Sequence, residues 1–244
     1  MVYLELIPNN LNTLLKEAKW ALSNFKCINT INIPDILQIK IRSYDAAIYL
    51  EEHNIKTLPH IRVIDFSVPE LIKLCQKLIS KNIHQILLIN GDPPPNQIQP
   101  IHKHNMPTII QLIKKECPNL IIYAICDPYR QDLLTEINYC NEKISAGASG
   151  LFTQPIFTPH LSYILLEQLQ HSKLFIGLSP VLSKKTYNYW VSRNNALFSP
   201  TFKITLKNNI IINKEIMKIC KQYKQSNYIM PITTPLESYL KEVL

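Results

Sequence analysis

The chain has 244 residues, 46% of them apolar, which suits one α/β barrel or two small domains around a sizeable core. Glycine is scarce (Gly91, Gly147, Gly150 and Gly177), and no Gly-x-Gly-x-x-Gly or Walker-type loop exists, so a Rossmann or P-loop nucleotide site is a poor fit. The net charge of +8 favours anionic partners, but the lysines are spread over helix faces with no basic stripe interleaved with aromatics, so nucleic acid is not expected.

The pattern along the chain alternates strand and helix. Val2 to Pro8 reads as a strand that proline ends, and Glu5 interrupts its apolar run. A carboxylate inside a buried strand is costly unless it is paired or functional. Apolar residues Leu14, Leu15, Ala18, Ala21, Leu22 and Phe25 predict a helix over 12–25. Cys27 to Ile33 is a second strand, and Ser43 is placed to cap a helix over 44–53. Thr57 to Ile64 is a third strand containing His60, and a helix follows over 69–81. Ile86 to Ile89 is a fourth strand, apolar without a period, as expected for a strand buried on both faces. It stops at Asn90-Gly91-Asp92 and three prolines, which lack the ladder donor.

After a Pro- and Asn-rich loop, a helix is expected over 107–116 and a fifth strand over Leu120 to Ala124, leading into Cys126-Asp127-Pro128-Tyr129-Arg130. A helix over 133–144 ends at Ala146-Gly147-Ala148, a candidate C-cap. Leu151 to Gln154 is a sixth strand ended by Pro155, a helix covers 159–170, and Leu174 to Leu178 is a seventh strand. A helix containing Trp190 follows. The sequence reads as irregular over 198–212 and helical over 214–223, with an eighth strand over 228–232 and a last helix over 235–244.

Eight strands alternating with helices at this length predict a single (β/α)8 TIM barrel over residues 1–244, with a doubly wound open sheet as the structural alternative. Glu5, Asn32, His60, Asp92, Asp127 and Gln154 all fall at strand ends, which share one mouth in a closed barrel. The six cysteines are dispersed without a Cys-x-x-Cys pair, so reduced thiols and a cytoplasmic setting are expected. No secretory leader pattern and no apolar run long enough to span a bilayer are found, so no membrane partner is expected. His102-x-His104 lies in a Pro-rich loop without further ligands, and no metal is expected.

Several segments, in order, resemble the methylenetetrahydrofolate reductase family. Tyr3-Leu4-Glu5-Leu6-Ile7-Pro8 is similar to its opening strand, and Leu58-Pro59-His60-Ile61-Arg62 to its third. Leu88-Ile89-Asn90-Gly91-Asp92-Pro93-Pro94 resembles its Arg-Gly-Asp-Pro turn, with Asn90 in place of arginine. Lys143-Ile144-Ser145-Ala146-Gly147-Ala148, then Phe152-Thr153-Gln154, resembles its Lys-x-x-Ala-Gly-Ala and Thr-Gln run, and Gly177 to Val181 its seventh loop. The chain departs from the family after strand five, where a shorter Cys126 to Arg130 replaces Tyr-Pro-Glu-x-His-Pro, and after strand eight, where Met230-Pro231-Ile232-Thr233 replaces Thr-Leu-Asn-Arg.

The resemblance implies a flavin barrel in which NADH or NADPH gives hydride to FAD, and the flavin reduces 5,10-methylenetetrahydrofolate to 5-methyltetrahydrofolate, feeding one-carbon metabolism and methionine synthesis. It gives Glu5 the role of general acid and sets Asp92 beside flavin and pterin, as a catalytic, folate and flavin contact. It makes Gln154 a substrate contact, and Asn32, His60, Asn90, Gly91, Tyr129, Arg130 and Lys143 candidates for FAD, with the two cations on the pyrophosphate. The partners implied are folate and a nicotinamide nucleotide, and a homo-oligomer is compatible with the family. The departures keep two alternatives open: a folate-binding or partner subunit that has lost FAD, or a flavin barrel with another substrate, of the proline dehydrogenase kind.

Overall fold

The computed structural model describes residues 1–93, 101–232 and 234–244. The strands are β1 (Val2–Glu5), β2 (Ile28–Ile33), β3 (Thr57–Arg62), β4 (Gln85–Ile89), β5 (Ile121–Cys126), β6 (Gly150–Pro155), β7 (Leu174–Leu178) and β8 (Ser226–Ile229). The helices are α1 (Leu11–Asn24), α2 (Ser43–Glu51), α3 (Val68–Ser80), α4 (Met106–Glu116), α5 (Leu133–Ser145), α6 (Pro159–Gln168), α7 (Lys184–Asn194), α8 (Leu206–Gln222) and α9 (Leu236–Val243). All strand pairs are parallel in the order β1 to β8, and β8 returns to β1 through Val2↔Asn227, Tyr3↔Tyr228 and Leu4↔Ile229. That closure excludes the open-sheet alternative and makes the fold a (β/α)8 TIM barrel.

Each strand alternates between the ring of helices and the barrel interior. Leu4, Ile31, Ile33, Ile61, Ile86 and Leu88 face the helices and join the outer core. Tyr3, Leu58, Leu87, Tyr123, Phe152, Phe175, Tyr228 and Met230 face inward as a separate cluster. Its rings pack closely: Phe152 stacks on Phe175 with centroids 4.1 Å apart, and Tyr3 and Tyr123 meet Phe175 edge-on at 4.7 and 5.2 Å. Edge-to-face pairs of this kind add about 0.5–1.5 kcal/mol each beyond the area they bury. The lower barrel is therefore a packed aromatic plug, and above it the barrel opens at the strand C-termini.

Helix starts follow local chemistry. Asn10, Asn105, Asp132 and Ser183 accept from the third following backbone N–H, at 2.9–3.1 Å. Glu70 reaches back to the Ser67 N–H at 2.8 Å, closing a capping box on α3. Gly147 takes φ +111 just past α5, where its N–H bonds the Ile144 carbonyl and that of Ala148 the Lys143 carbonyl, as a C-terminal glycine should.

Three local expectations need correction. Ser43 does not cap α2; it is the helix's first residue, and its hydroxyl donates instead to the His60 carbonyl, tying α2 to the end of β3. The segment read as irregular up to residue 212 is helical from Leu206. Asn208 and Asn209 are weak helix formers, but Thr205 caps the helix through the Asn208 N–H, and the Asn209 amide bonds the Val181 backbone at 2.8 and 3.1 Å. Tertiary hydrogen bonds thus override propensity there. The last strand is Ser226–Ile229, earlier than the expected 228–232: Met230 still donates to the Leu178 carbonyl, but Pro231 has no N–H to extend the ladder.

Candidate active site at the barrel mouth

A cavity of about 780 Å³ opens at the C-terminal ends of the strands. Of the residues singled out in the sequence, Glu5, His60, Asn90, Gly91, Asp92, Asp127, Arg130, Lys143 and Gln154 line it. Asn32 and Tyr129 do not. Asn32 is fully buried in the β2 register opposite Glu5, and Tyr129 is buried with its hydroxyl on the Pro155 carbonyl at 2.8 Å. Pro94 and Pro95, part of the expected turn, lie outside the described residues, as does Thr233.

The floor of the cavity is a layer of polar groups on the aromatic plug. Glu5 ends β1 with its side chain inside the barrel, and its Oε2 accepts from the Tyr228 hydroxyl across the β1–β8 seam. Burial raises the Glu5 carboxyl to about 7, against the smaller opposing effect of that hydrogen bond. The Tyr228 phenol is pushed well above its ordinary value by burial and by the adjacent Glu5, so it stays a donor at neutral pH. His60 stands on β3 with its ring 6.3 Å from that of Tyr228. Burial lowers it to about 3, leaving a neutral imidazole whose Nε2 is sealed and unpartnered among the described residues. The Asn32 amide lies near the Tyr228 hydroxyl without a well-formed hydrogen bond, and both its polar atoms are likewise buried and unpaired. Such groups are costly to bury, and functional sites are where they persist.

The rim carries two charge clusters. On one side Arg42 pairs with Asp35 and Asp65 at 2.7 Å each, and Asp65 pairs with Arg62 at 3.0 Å. Arg62 also donates from Nη2 to the Asp92 carbonyl at 2.6 Å, so this chain of ion pairs holds the turn after β4. Gly91 in that turn has φ +84, and a Cβ there would come within 2.9 Å of the Arg62 guanidinium carbon. The close approach that glycine permits is therefore to Arg62. On the other side Glu136, fully buried on α5, accepts from the Asp127 N–H (3.0 Å), Arg130 (2.8 Å) and Gln131 (2.7 Å), and faces Lys143 Nζ at 3.5 Å. Lys143 also donates to the Ile125 carbonyl at 2.5 Å and lies 4.2 Å from the Tyr139 ring centroid. Desolvation raises the neighbouring Asp127 carboxyl.

Cys126, Glu136 and Cys140 bring three potential metal-binding atoms within 4.8 Å of one another. The carboxylate among them already serves two cationic side chains, and Cys126 is pushed well above the usual thiol range, chiefly by its contact with Cys140 and by burial. That is a poor donor set for a divalent cation. His102 and His104 stack with ring centroids 5.9 Å apart, and His104 bonds the Phe66 carbonyl at 2.8 Å.

Three members of this site had no assigned role in the sequence reading: Tyr228, Arg62 and Glu136. Arg62 follows His60 by two residues, so a strand period places both inside the barrel. Glu136, Cys140 and Lys143 sit at helical spacing on the buried face of α5, a legible sign that Lys143 has an acidic partner. For Tyr228, only the closure of the barrel reveals its partner 223 residues away.

Comparison with known proteins agrees with this architecture. Among solved structures, the orotidine 5'-phosphate decarboxylase of Pyrococcus horikoshii OT3 superposes with a TM-score of 0.58 at 11% identity, covering 100% of this chain and 99% of that chain. Oxaloacetate acetylhydrolase (TM-score 0.62, 10% identity) covers 98% of this chain and 78% of that chain. A 2,3-dimethylmalate lyase of the PEP mutase/isocitrate lyase superfamily (0.62, 10%) covers 99% and 80%. At these identities the likeness is one of fold alone. No curated protein matches the chain in sequence. Among the described residues no helix is long and apolar enough to cross a membrane. The family described as methylenetetrahydrofolate reductase matches residues 38–180, a stretch that holds His60, the Asn90-Gly91-Asp92 turn, Lys143 and Gln154. With that match over more than half of its length, the chain belongs to the methylenetetrahydrofolate reductase family.

Proposed function

We propose that the chain is a flavin-dependent oxidoreductase that reduces 5,10-methylenetetrahydrofolate to 5-methyltetrahydrofolate. One observation carries the reading: a carboxylic acid with its pKa raised to about 7 sits on the cavity floor, hydrogen-bonded by a tyrosine that stays protonated. An acid half-protonated near neutrality is matched to proton transfer at physiological pH. When bound, FAD takes hydride from NADH or NADPH and supplies it to the methylene carbon of the folate. Glu5 protonates the nitrogen that leaves that carbon as the imidazolidine ring opens to the iminium. Asp92 and Gln154, at the ends of β4 and β6, are the groups assigned to orient folate.

A flavin suits the floor better than the rim. The Glu5 carboxyl lines the cavity with Oε1 unpartnered among the described residues, which leaves an oxygen for a hydrogen-bonding heterocycle, whereas His60 Nε2 and the Asn32 amide are sealed from the cavity. At the rim, Arg130 and Lys143 would hold the pyrophosphate, yet both are engaged by Glu136. That engagement, with Arg62 filling the space above Gly91, favours a second reading: a family member that acts as a folate-binding or partner subunit without FAD.

The visible spectrum of the purified protein supplied with FAD separates the two. Flavin bands that bleach anaerobically with NADH or NADPH and return on adding methylenetetrahydrofolate are expected. Bleaching without return refutes the folate substrate and favours a barrel of the proline dehydrogenase kind. A protein that takes up no FAD refutes the first reading and leaves the second.

A further inference from the structure

Glu5 is carried by β1, but β8 holds its carboxyl. The Tyr228 hydroxyl meets Glu5 Oε2, while Oε1 has no protein partner among the described residues and is not among the sealed polar atoms. Three contacts fix Tyr228: its pairing with Tyr3 in the closing seam, edge packing on Phe152 at 5.2 Å, and the His60 ring at 6.3 Å. The polar groups around the pair are Asn32 from β2, uncharged, and His60 from β3, neutral through burial. No charged side chain among the described residues hydrogen-bonds Glu5.

We propose that Tyr228 is a positioning residue for Glu5: by donating to Oε2 it fixes the carboxyl rotamer and leaves Oε1 to carry the transferable proton into the cavity. This deepens the reading of Glu5 as the acid of the site and rests on it. The step balances. The breaking carbon–nitrogen bond leaves its electron pair on nitrogen, nitrogen takes the Oε1 proton, and the carboxylate left behind keeps the Tyr228 O–H until water reprotonates it. A donor aimed at one oxygen favours the ionised form, so Tyr228 also keeps the acid from being too weak to give its proton away. Its own burial excludes the phenolate, so it does not compete as the acid.

The test titrates Glu5 in the full-length protein carrying ¹³C-labelled glutamate, with the resonance assigned by its loss in Glu5→Gln. In Tyr228→Phe the Glu5 midpoint is expected to rise by about one pH unit, the effect of one lost hydrogen bond to the charged form. An unchanged or lowered midpoint overturns the proposal. If Tyr228→Phe does not fold, the wild-type protein still decides. The Tyr228 ring carbon bearing oxygen must titrate with the Glu5 midpoint, and a flat response overturns the proposal. The rate of folate reduction gives an independent check. It falls as Glu5 loses its proton, and Tyr228→Phe must move that limb upward by the same unit. A shifted Glu5 titration with no folate turnover leaves Tyr228's hold on the carboxyl intact and refutes the folate reading instead. Turnover whose limb does not move refutes the role of Tyr228 alone.

Discussion

Replacing Glu5 by glutamine should change how the stability of this barrel depends on pH. In the unfolded chain the carboxyl titrates at 4.5; in the fold, desolvation raises it to about 7. A group raised on folding favours the native state while it is protonated, and that advantage is lost as pH rises from the unfolded value through the folded one. Above about pH 7 the native barrel must hold a buried carboxylate. The gap between 4.5 and about 7, at about 1.4 kcal/mol per unit, costs the fold about 3 kcal/mol once both states are ionised. Between pH 5 and pH 8 the part of this cost that develops is about 2.5 kcal/mol. Glutamine keeps the size and can still accept from Tyr228, but it does not titrate. The wild-type protein should therefore lose about 2.5 kcal/mol more than Glu5→Gln between those pH values, whatever the other groups contribute to both. Urea unfolding at pH 5 and pH 8, followed by circular dichroism, reads the difference directly from midpoints at equal m. At about 2–4 °C per kcal/mol, thermal melts of the two proteins should diverge visibly at pH 8. Parallel pH profiles for the two would refute the argument that Glu5 is a desolvated acid.

Glu136→Gln should destabilise the protein by about 3–5 kcal/mol, because Lys143, only 4% exposed in its side chain, loses the charge that compensates its burial. Arg130, at 41%, can turn to solvent, so a loss under 1 kcal/mol in urea unfolding would mean that Lys143 is not held by this carboxylate. Gly91→Ala should cost about 1–2 kcal/mol from the left-handed backbone alone. Its Cβ would also displace the Arg62 guanidinium from 2.9 Å, so the turn bearing Asp92 should shift, and FAD or folate affinity should fall in equilibrium titration. Unchanged stability and affinity would show that Arg62 does not brace this turn.

Much of the architecture is legible in residue order alone. Strands buried on both faces leave apolar runs without a period, and helices leave a period of 3.6, so the alternation and the element count followed from residue order. The cap of α5 at Gly147 was readable because only one residue type takes that backbone angle cheaply. Glu5 and His60 stood out because polar groups in buried strands are expensive. The start of α8 was not legible, because the amide contacts of Asn209 with Val181 are tertiary. The cations misled for a different reason: their acidic partner is local, on the buried face of the same helix as Lys143. Lys143 and Arg130 read as free charges for a phosphate, whereas the fold sets Glu136 between them.

What the sequence determined by itself is the list of elements and which polar residues fall at strand ends, since both depend on neighbours along the chain. Pairing across the barrel comes from closure and is invisible to residue order. Closure joins β8 to β1 and brings Tyr228 onto Glu5. The β3–β4 register sets Arg62 against Gly91, and α5 folds back to fill the rim with Glu136. Hydrogen bonds and desolvation act over a few ångströms whatever the distance in sequence, so the protonation of Glu5 is a property of the closed barrel.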